Sequence, residues 1–262
     1  MQVTVDGHEV YVHTGGRPFD PAAKVVVLVH GSGFDHTAWR YQSRWLAHRG
    51  VSVAAVDLPG HGRSGGPLLG TVEELAAWCG RLLESLGADE GVIVGHSLGA
   101  LVALQAVADD ARWDAGVLVS GAQEMRVHPE MLASAAEGAP RVLELMRAWM
   151  HASHGGGHLD PGHWLMGESW SVQEAEGYDV LHADLLACHR YEGGAAAAAA
   201  ADRPILVISG TADRMVPLRA SSALVDALPN GVLAEVEGAG HLPFVVRPRA
   251  VNRRLADFLG IA

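Results

Sequence analysis

Ser97, Asp213 and His241 are the residues of this 262-residue chain whose types and settings suit catalysis by an activated hydroxyl. Ser97 lies in the stretch V-I-V-G-H-S-L-G-A, residues 92–100, where Val92-Ile93-Val94 reads as a strand and Ala100 to Leu104 as the start of a helix. A serine on a sharp turn between strand and helix sits in a strained conformation that only small neighbours permit, so its hydroxyl stands clear of the chain. Ser97 is therefore the expected nucleophile. A second Gly-x-Ser-x-Gly, Gly62-Arg63-Ser64-Gly65-Gly66, lies between Pro59 and Pro67 with no hydrophobic strand entering and no helix leaving, and this context rejects Ser64.

A serine hydroxyl needs a base, and neutral imidazole is best matched to that work near pH 7. Of 15 histidines, His241 is singled out because Gly238-Ala239-Gly240-His241 follows the last expected strand. That places it at the C-terminal edge of a parallel sheet, where Ser97 also emerges. The base needs a carboxylate to fix its tautomer. Asp213, on the loop Gly210 to Pro217 one strand earlier, fills the place, and Glu124 after the preceding strand is the rival. The oxyanion formed on attack needs backbone N–H donors. The amide of Leu98 at the helix start is one, and the amide of Ser32 in His30-Gly31-Ser32-Gly33-Phe34 is the favoured second, with Gly33 next. His30 reads as a hydrogen-bonding brace for that loop.

The elements needed to position these groups follow from periodicity. Val3, Val5, Val10 and Val12 alternate with polar residues around Asp6-Gly7, a hairpin signature. Continuous apolar runs at Lys24 to Val29, Val51 to Val56, Gly116 to Ser120 and Pro204 to Ile208, with a further strand at Val232 to Val236, predict strands of a parallel sheet. Helical spacing between them at Thr37 to Arg49, Glu73 to Leu86, Leu218 to Leu228 and Arg249 to Leu259 predicts an α/β alternation. It is interrupted over residues 121–201, where helices are expected at Met131 to Ala136, Pro140 to Met150 and Glu174 to Tyr191. The Ala195 to Ala201 run reads as a linker helix. The expected organisation is a core of residues 1–120 and 202–262 carrying a helical cap, residues 121–201.

Hydrophobic content of 49% and a net charge of −11 describe an acidic globule, and exclude nucleic acid or an anionic membrane surface as the main partner. No signal peptide or membrane anchor is expected from the alternating start, so a cytoplasmic location is expected, and a homodimer is compatible with the sequence. Cys79 and Cys188 are expected to be buried thiols. The histidines at 151, 154, 158 and 163 lack a metal-binding pattern and are interrupted by three glycines, so no metal is expected.

Five segments in this order resemble the α/β-hydrolase fold superfamily: His30 to Gly33, Asp57-Leu58-Pro59-Gly60-His61-Gly62-Arg63-Ser64, Gly95 to Gly99, Gly210 to Pro217 and Gly238 to His241. The resemblance is to the group with a helical cap, which includes esterases, lactonases, carbon-carbon bond hydrolases and cofactor-free haloperoxidases. It implies a mostly parallel sheet with an N-terminal antiparallel hairpin, a structural role for the Asp57 to Ser64 turn, and two half-reactions through an acyl-enzyme on Ser97 with no cofactor. Carbon-carbon hydrolases of that group usually carry Trp after the catalytic histidine, where this chain has Leu242, so a carboxylic ester or lactone is the expected small-molecule substrate. A carbon-carbon hydrolase of a diketone-like compound, and a receptor that binds a small molecule without turning it over, are the alternatives. Gly33, Phe34, Met125, Trp149, Trp164 and Leu242 are expected substrate contacts, and Met131, Met146, Met150, Met166 and Trp170 are further candidates for an apolar acyl pocket.

Overall fold

The structure is a computed structural model that describes residues 1–151 and 165–261. Its strands are β1 (Gln2–Val5), β2 (His8–His13), β3 (Val25–Val29), β4 (Ser52–Val56), β5 (Gly91–His96), β6 (Trp113–Val119), β7 (Ile205–Gly210) and β8 (Gly231–Val236). They form one 8-stranded sheet in the order β1-β2-β4-β3-β5-β6-β7-β8. β1 and β2 are antiparallel to each other, β2 is antiparallel to β4, and every later pairing is parallel. This is the α/β-hydrolase fold expected from the sequence.

The hairpin turns on Asp6 (φ 52°) and Gly7 (φ 80°), two positive φ values in succession, whose twist matches that of the flanking strands. Every residue of β3, β4, β5 and β7 is buried, as a strand covered on both faces requires. Alternate residues of β3 feed different cores. Val25, Val27 and Val29 join Leu82, Leu101 and Trp113 on one face, and Val26 and Leu28 join Trp39, Leu46 and Phe244 on the other.

The helices are α1 (Arg40–Ala47), α2 (Val72–Ser85), α3 (Leu98–Asp109), α4 (Pro129–Ala136), α5 (Arg141–Met150), α6 (Leu165–Glu176), α7 (Tyr178–Arg190), α8 (Gly194–Ala200), α9 (Leu218–Ala227), α10 (Pro243–Val246) and α11 (Pro248–Leu259). None among the described residues is long and apolar enough to cross a membrane. Helices α4 to α8 fill the interval between β6 and β7. The single helix expected over 174–191 is instead two, because Gly177 at φ 95° leaves the helical region and breaks α6 from α7. The short α10, directly after His241, has no amphipathic repeat to announce it.

α3 is apolar on nearly all sides, with Leu98 to Leu104 buried throughout. It lies so close to the sheet that a Cβ on Gly95 would stand 1.8 Å from the Gly99 carbonyl oxygen, and one on Gly99 would stand 2.4 Å from that of Val29. No backbone relaxation short of moving α3 can absorb such an overlap. Gly95→Ala is expected to cost about 3 kcal/mol or more, read from chemical denaturation. An unchanged midpoint would show that β5 and α3 can separate freely.

Candidate active site

β5 ends at His96 and α3 starts at Leu98, so Ser97 alone makes the turn, at φ 54° and ψ −114°. A non-glycine residue held there costs on the order of 1–3 kcal/mol and persists only where its surroundings enforce it. Here they do so by hydrogen bonds: Ser97 N–H donates to the Val119 carbonyl (3.0 Å), and the Ser97 carbonyl accepts from Ala100 N–H (2.8 Å).

Ser97 Oγ lies 3.0 Å from His241 Nε2, and His241 Nδ1 lies 2.8 Å from Asp213 Oδ2. With a carboxylate at Nδ1 the ring proton belongs there, and the Nε2 lone pair faces the hydroxyl. Asp213 is itself held, since Oδ1 accepts the N–H groups of Met215 (2.9 Å) and Val216 (3.0 Å). The histidine backbone is fixed as well. Its carbonyl accepts from His96 Nε2 (2.9 Å) and Ser120 Oγ (3.0 Å), while its N–H donates to the Met150 carbonyl at the end of α5 (2.8 Å). Glu124, the rival acid, is half exposed and pairs with Arg126 at 3.5 Å.

Burial sorts the neighbouring histidines. Desolvation, and then the charge His241 would carry, hold His96 well below the ordinary imidazole range, so it stays neutral and donates through Nε2. Desolvation likewise lowers His30 to about 4. In its neutral form Nδ1 donates to the Gly31 carbonyl (3.0 Å) and Nε2 accepts Leu58 N–H (3.1 Å), so His30 braces the loop between β3 and the 3₁₀ turn at His36–Trp39. His61 goes the other way. Burial lowers it, but the Asp184 carboxylate 3.0 Å from Nε2 outweighs that and raises it to about 9.

A cavity of about 140 Å³ opens beside Ser97 and His241, comparable to one that admits a benzene-sized group. Phe34, Met125 and Trp149 line it, as do Met131, Met146 and Met150. Gly33 and Leu242 do not. The Gly33 N–H is taken by Asp184 Oδ2 (2.8 Å) and its α-carbon faces Leu181, while Leu242 is 2% exposed within the core beneath. Met166 and Trp170 lie away from it, and Trp164, His154, His158 and His163 fall outside the described residues. Met215, Val216, Pro217 and Ala220 also line it, and their place directly after Asp213 in the chain could have flagged them. His128, Leu185 and Cys188 line it without any local sequence signal.

Ser32 lines the cavity, and Leu98 supplies the first amide of α3, a helix with no side-chain cap on its N-terminus. Cys79 and Cys188 are both free and buried. Among the described residues Asp35, His36 and Asp57 bring potential metal ligands together. Asp57 is already saturated by the ring and N–H of His36 and by Arg63 N–H, so the trio works as a structural knot. Ser64 Oγ donates to the Asp57 carbonyl at 2.7 Å and accepts Tyr11 N–H, which leaves it a turn-forming role.

The sequence matches the alpha/beta hydrolase family over residues 26–254. It is 32% identical over 252 residues to the pimeloyl-(acyl-carrier protein) methyl ester esterase of Cronobacter sakazakii, covering 88% of this chain and 94% of that one. The solved enol-lactonase of Burkholderia xenovorans LB400 matches with a TM-score of 0.88 at 22% identity, over 99% of this chain and 100% of that one. A thermophilic esterase structure matches with a TM-score of 0.80 at 29% identity, over 100% of this chain and 98% of that one.

The raised His61 value carries a pH signature. A free histidine titrates near ~6.5, so the stabilisation from the folded state's tighter proton binding is complete below that pH and is lost as pH rises through about 9. The stability gap between the parent and His61→Gln is expected to narrow from pH 6 to pH 10, followed by urea denaturation. A gap that stays constant would show that His61 does not carry its proton into the alkaline range.

Proposed function

Because this chain belongs to the alpha/beta hydrolase family, we propose that it is a serine hydrolase that cleaves a carboxylic ester or lactone through an acyl-enzyme on Ser97. One observation carries this reading: the unbroken line from Asp213 Oδ2 to His241 Nδ1 (2.8 Å) and from His241 Nε2 to Ser97 Oγ (3.0 Å), ending beside an apolar cavity. The likeness to a methyl ester esterase, 32% identical over most of both chains, supports the ester as the bond attacked.

The chemistry follows from the geometry. As Ser97 Oγ bonds to the carbonyl carbon its proton passes to His241 Nε2, and the carbonyl electron pair moves onto oxygen, where the N–H groups of Leu98 and Ser32 hold it. Collapse breaks the bond to the leaving oxygen, which takes the proton from Nε2 and departs as alcohol, or stays tethered if the substrate is a lactone. Water then gives a proton to the same nitrogen, attacks the acyl carbon, and releases the acid as Ser97 recovers its hydrogen. The imidazolium between these steps is stabilised by Asp213. The helices α4, α5 and α7 serve as the cap that shapes the acyl site. Its thioether and indole lining and its modest volume suit a short or flat uncharged acyl group, since sulfur adapts to apolar shapes while, among the described residues, no charge lies deep in the chamber. Among the described residues, the charged ones lining it are Glu124 and Arg126, half exposed and paired with each other.

A fluorophosphonate probe followed by peptide mapping is expected to label Ser97, and Ser97→Ala is expected to abolish turnover of a chromogenic short-chain ester in a protein that stays folded. Undiminished turnover would remove Ser97 from the mechanism. Asp213→Asn probes the tautomer. The two N–H groups of Met215 and Val216 will take the amide oxygen, which turns the NH₂ toward His241 Nδ1 and drives the ring proton to Nε2, facing the hydroxyl. A fall in kcat on the order of 10⁴-fold is expected without loss of fold; a change of a few-fold would mean that Asp213 does not set the protonation of His241.

A further inference from the structure

The loop after β3 offers three successive amides, those of Ser32, Gly33 and Phe34, near the nucleophile. Two of them are engaged. Phe34 N–H returns to the Gly31 carbonyl (3.1 Å), and Gly33 N–H donates to Asp184 Oδ2 (2.8 Å). Ser32 N–H has no partner among the described residues. The peptide joining Ser32 to Gly33 is gripped at its other end too, for the Ser32 carbonyl accepts from Gln173 Nε2 at 3.2 Å. Both gripping side chains are almost wholly buried and come from the inserted helices, Gln173 from α6 and Asp184 from α7. One peptide plane held by its oxygen on one side and its N–H on the other cannot rotate, and the peptide before it, which carries the Ser32 N–H, is joined to that fixed plane at Ser32 and held at its own Gly31 carbonyl by Phe34 N–H (3.1 Å) and His30 Nδ1 (3.0 Å).

Asp184 serves two donors from its position. It is a carboxylate 3% exposed, 151 residues along the chain from the amide it accepts, and its charge is compensated by His61 Nε2 at 3.0 Å on the same oxygen. A buried ion pair is a weak source of stability, and an apolar pair of the same shape would serve the packing as well. What an apolar pair could not do is accept the Gly33 N–H.

We infer that Asp184 and Gln173 are positioning residues for the oxyanion site: they lock the Ser32–Gly33 peptide so that the Ser32 N–H is left for the substrate oxygen, and the inserted helices thereby complete the reaction centre as well as the acyl pocket. This rests on the reading of Ser97 as nucleophile and Ser32 as oxyanion donor. It adds that the donor's aim is set from α6 and α7.

The test uses the whole chain. Asp184→Leu keeps the branching at the γ position and removes the acceptor, Asp184→Asn keeps an acceptor oxygen and the volume without the charge, and Gln173→Met removes the second grip from a different helix. In Asp184→Leu, kcat for a chromogenic ester is expected to fall by up to about 10²-fold, the cost of a displacement near 1 Å, while KM holds. Inhibition by an alkyl boronic acid, whose tetrahedral adduct on Ser97 places an oxygen in the oxyanion site, should weaken by the same factor. Asp184→Asn is expected to restore both toward the parent, because the amide oxygen can take the Gly33 and His61 donors. Gln173→Met is expected to lower kcat and boronate affinity together, and it carries the test alone if Asp184→Leu does not fold. Folded variants that keep kcat and boronate affinity, that lose only KM, or an Asn variant as impaired as Leu, would each overturn the inference. If the parent neither hydrolyses the ester nor binds the boronate, the serine hydrolase reading falls and takes this one with it; parental activity with indifferent variants sinks this one alone.

Discussion

The site depends on three stretches of backbone meeting with no side chain between them. Gly95 lets β5 turn back against the first turn of α3, and Gly99 lets that turn rest on the carbonyl oxygens of Val29 and His30 at the end of β3. Gly31 lies against the His96 ring in the same way, with its missing Cβ 2.7 Å from Nδ1. A methyl group at any of these points would push the loop bearing Ser32 away from the helix that begins at Leu98. The strained serine and the loop opposite it are therefore products of one packing constraint, and the strain is borne because the neighbouring core, from Val27 to Trp113, buries a sheet face that cannot shift locally.

Within that frame, burial decides what each imidazole does. His30 and His96 are kept neutral by desolvation and act through fixed N–H and lone-pair positions, one tying the loop after β3, the other tying the His241 carbonyl. His61 carries charge because a carboxylate was buried with it. Similar rings thus perform opposite electrostatic tasks within a small region: ring-centre separations of 5.0 Å between His30 and His61 and 4.9 Å between His96 and His241 measure how near they lie. Solvation, more than residue type, assigns the roles.

What could be read from the chain beforehand was whatever is encoded locally. The Gly95 to Gly99 turn, the apolar runs of β3, β4, β5 and β7, and the Asp6-Gly7 hairpin each carry their signal within a few residues, and the parallel sense of the sheet follows from the alternation of strands with helices, whereas the strand order does not. Ser64 was separable from Ser97 for the same reason, since nothing around it forms a strand or a helix. The missed features are long-range. That Asp184 reaches Gly33, that Gln173 reaches Ser32, and that Leu242 turns into the core depend on how α6, α7 and α10 dock, which no window of sequence reports. The break at Gly177 was hidden by helix-forming residues on both sides, where one glycine is an ambiguous mark.

The bond from His241 N–H to the Met150 carbonyl has a consequence for engineering. It makes the interval between β6 and β7 something other than an interchangeable module, because one of its peptide oxygens anchors the loop of the core that bears His241. A transplanted helical segment from a relative would have to return an acceptor to that point in space, whatever else it brought to the chamber. Splice junctions chosen for substrate scope alone would leave the imidazole on an untethered loop, and grafts that preserve the end of α5 start with that anchor in place.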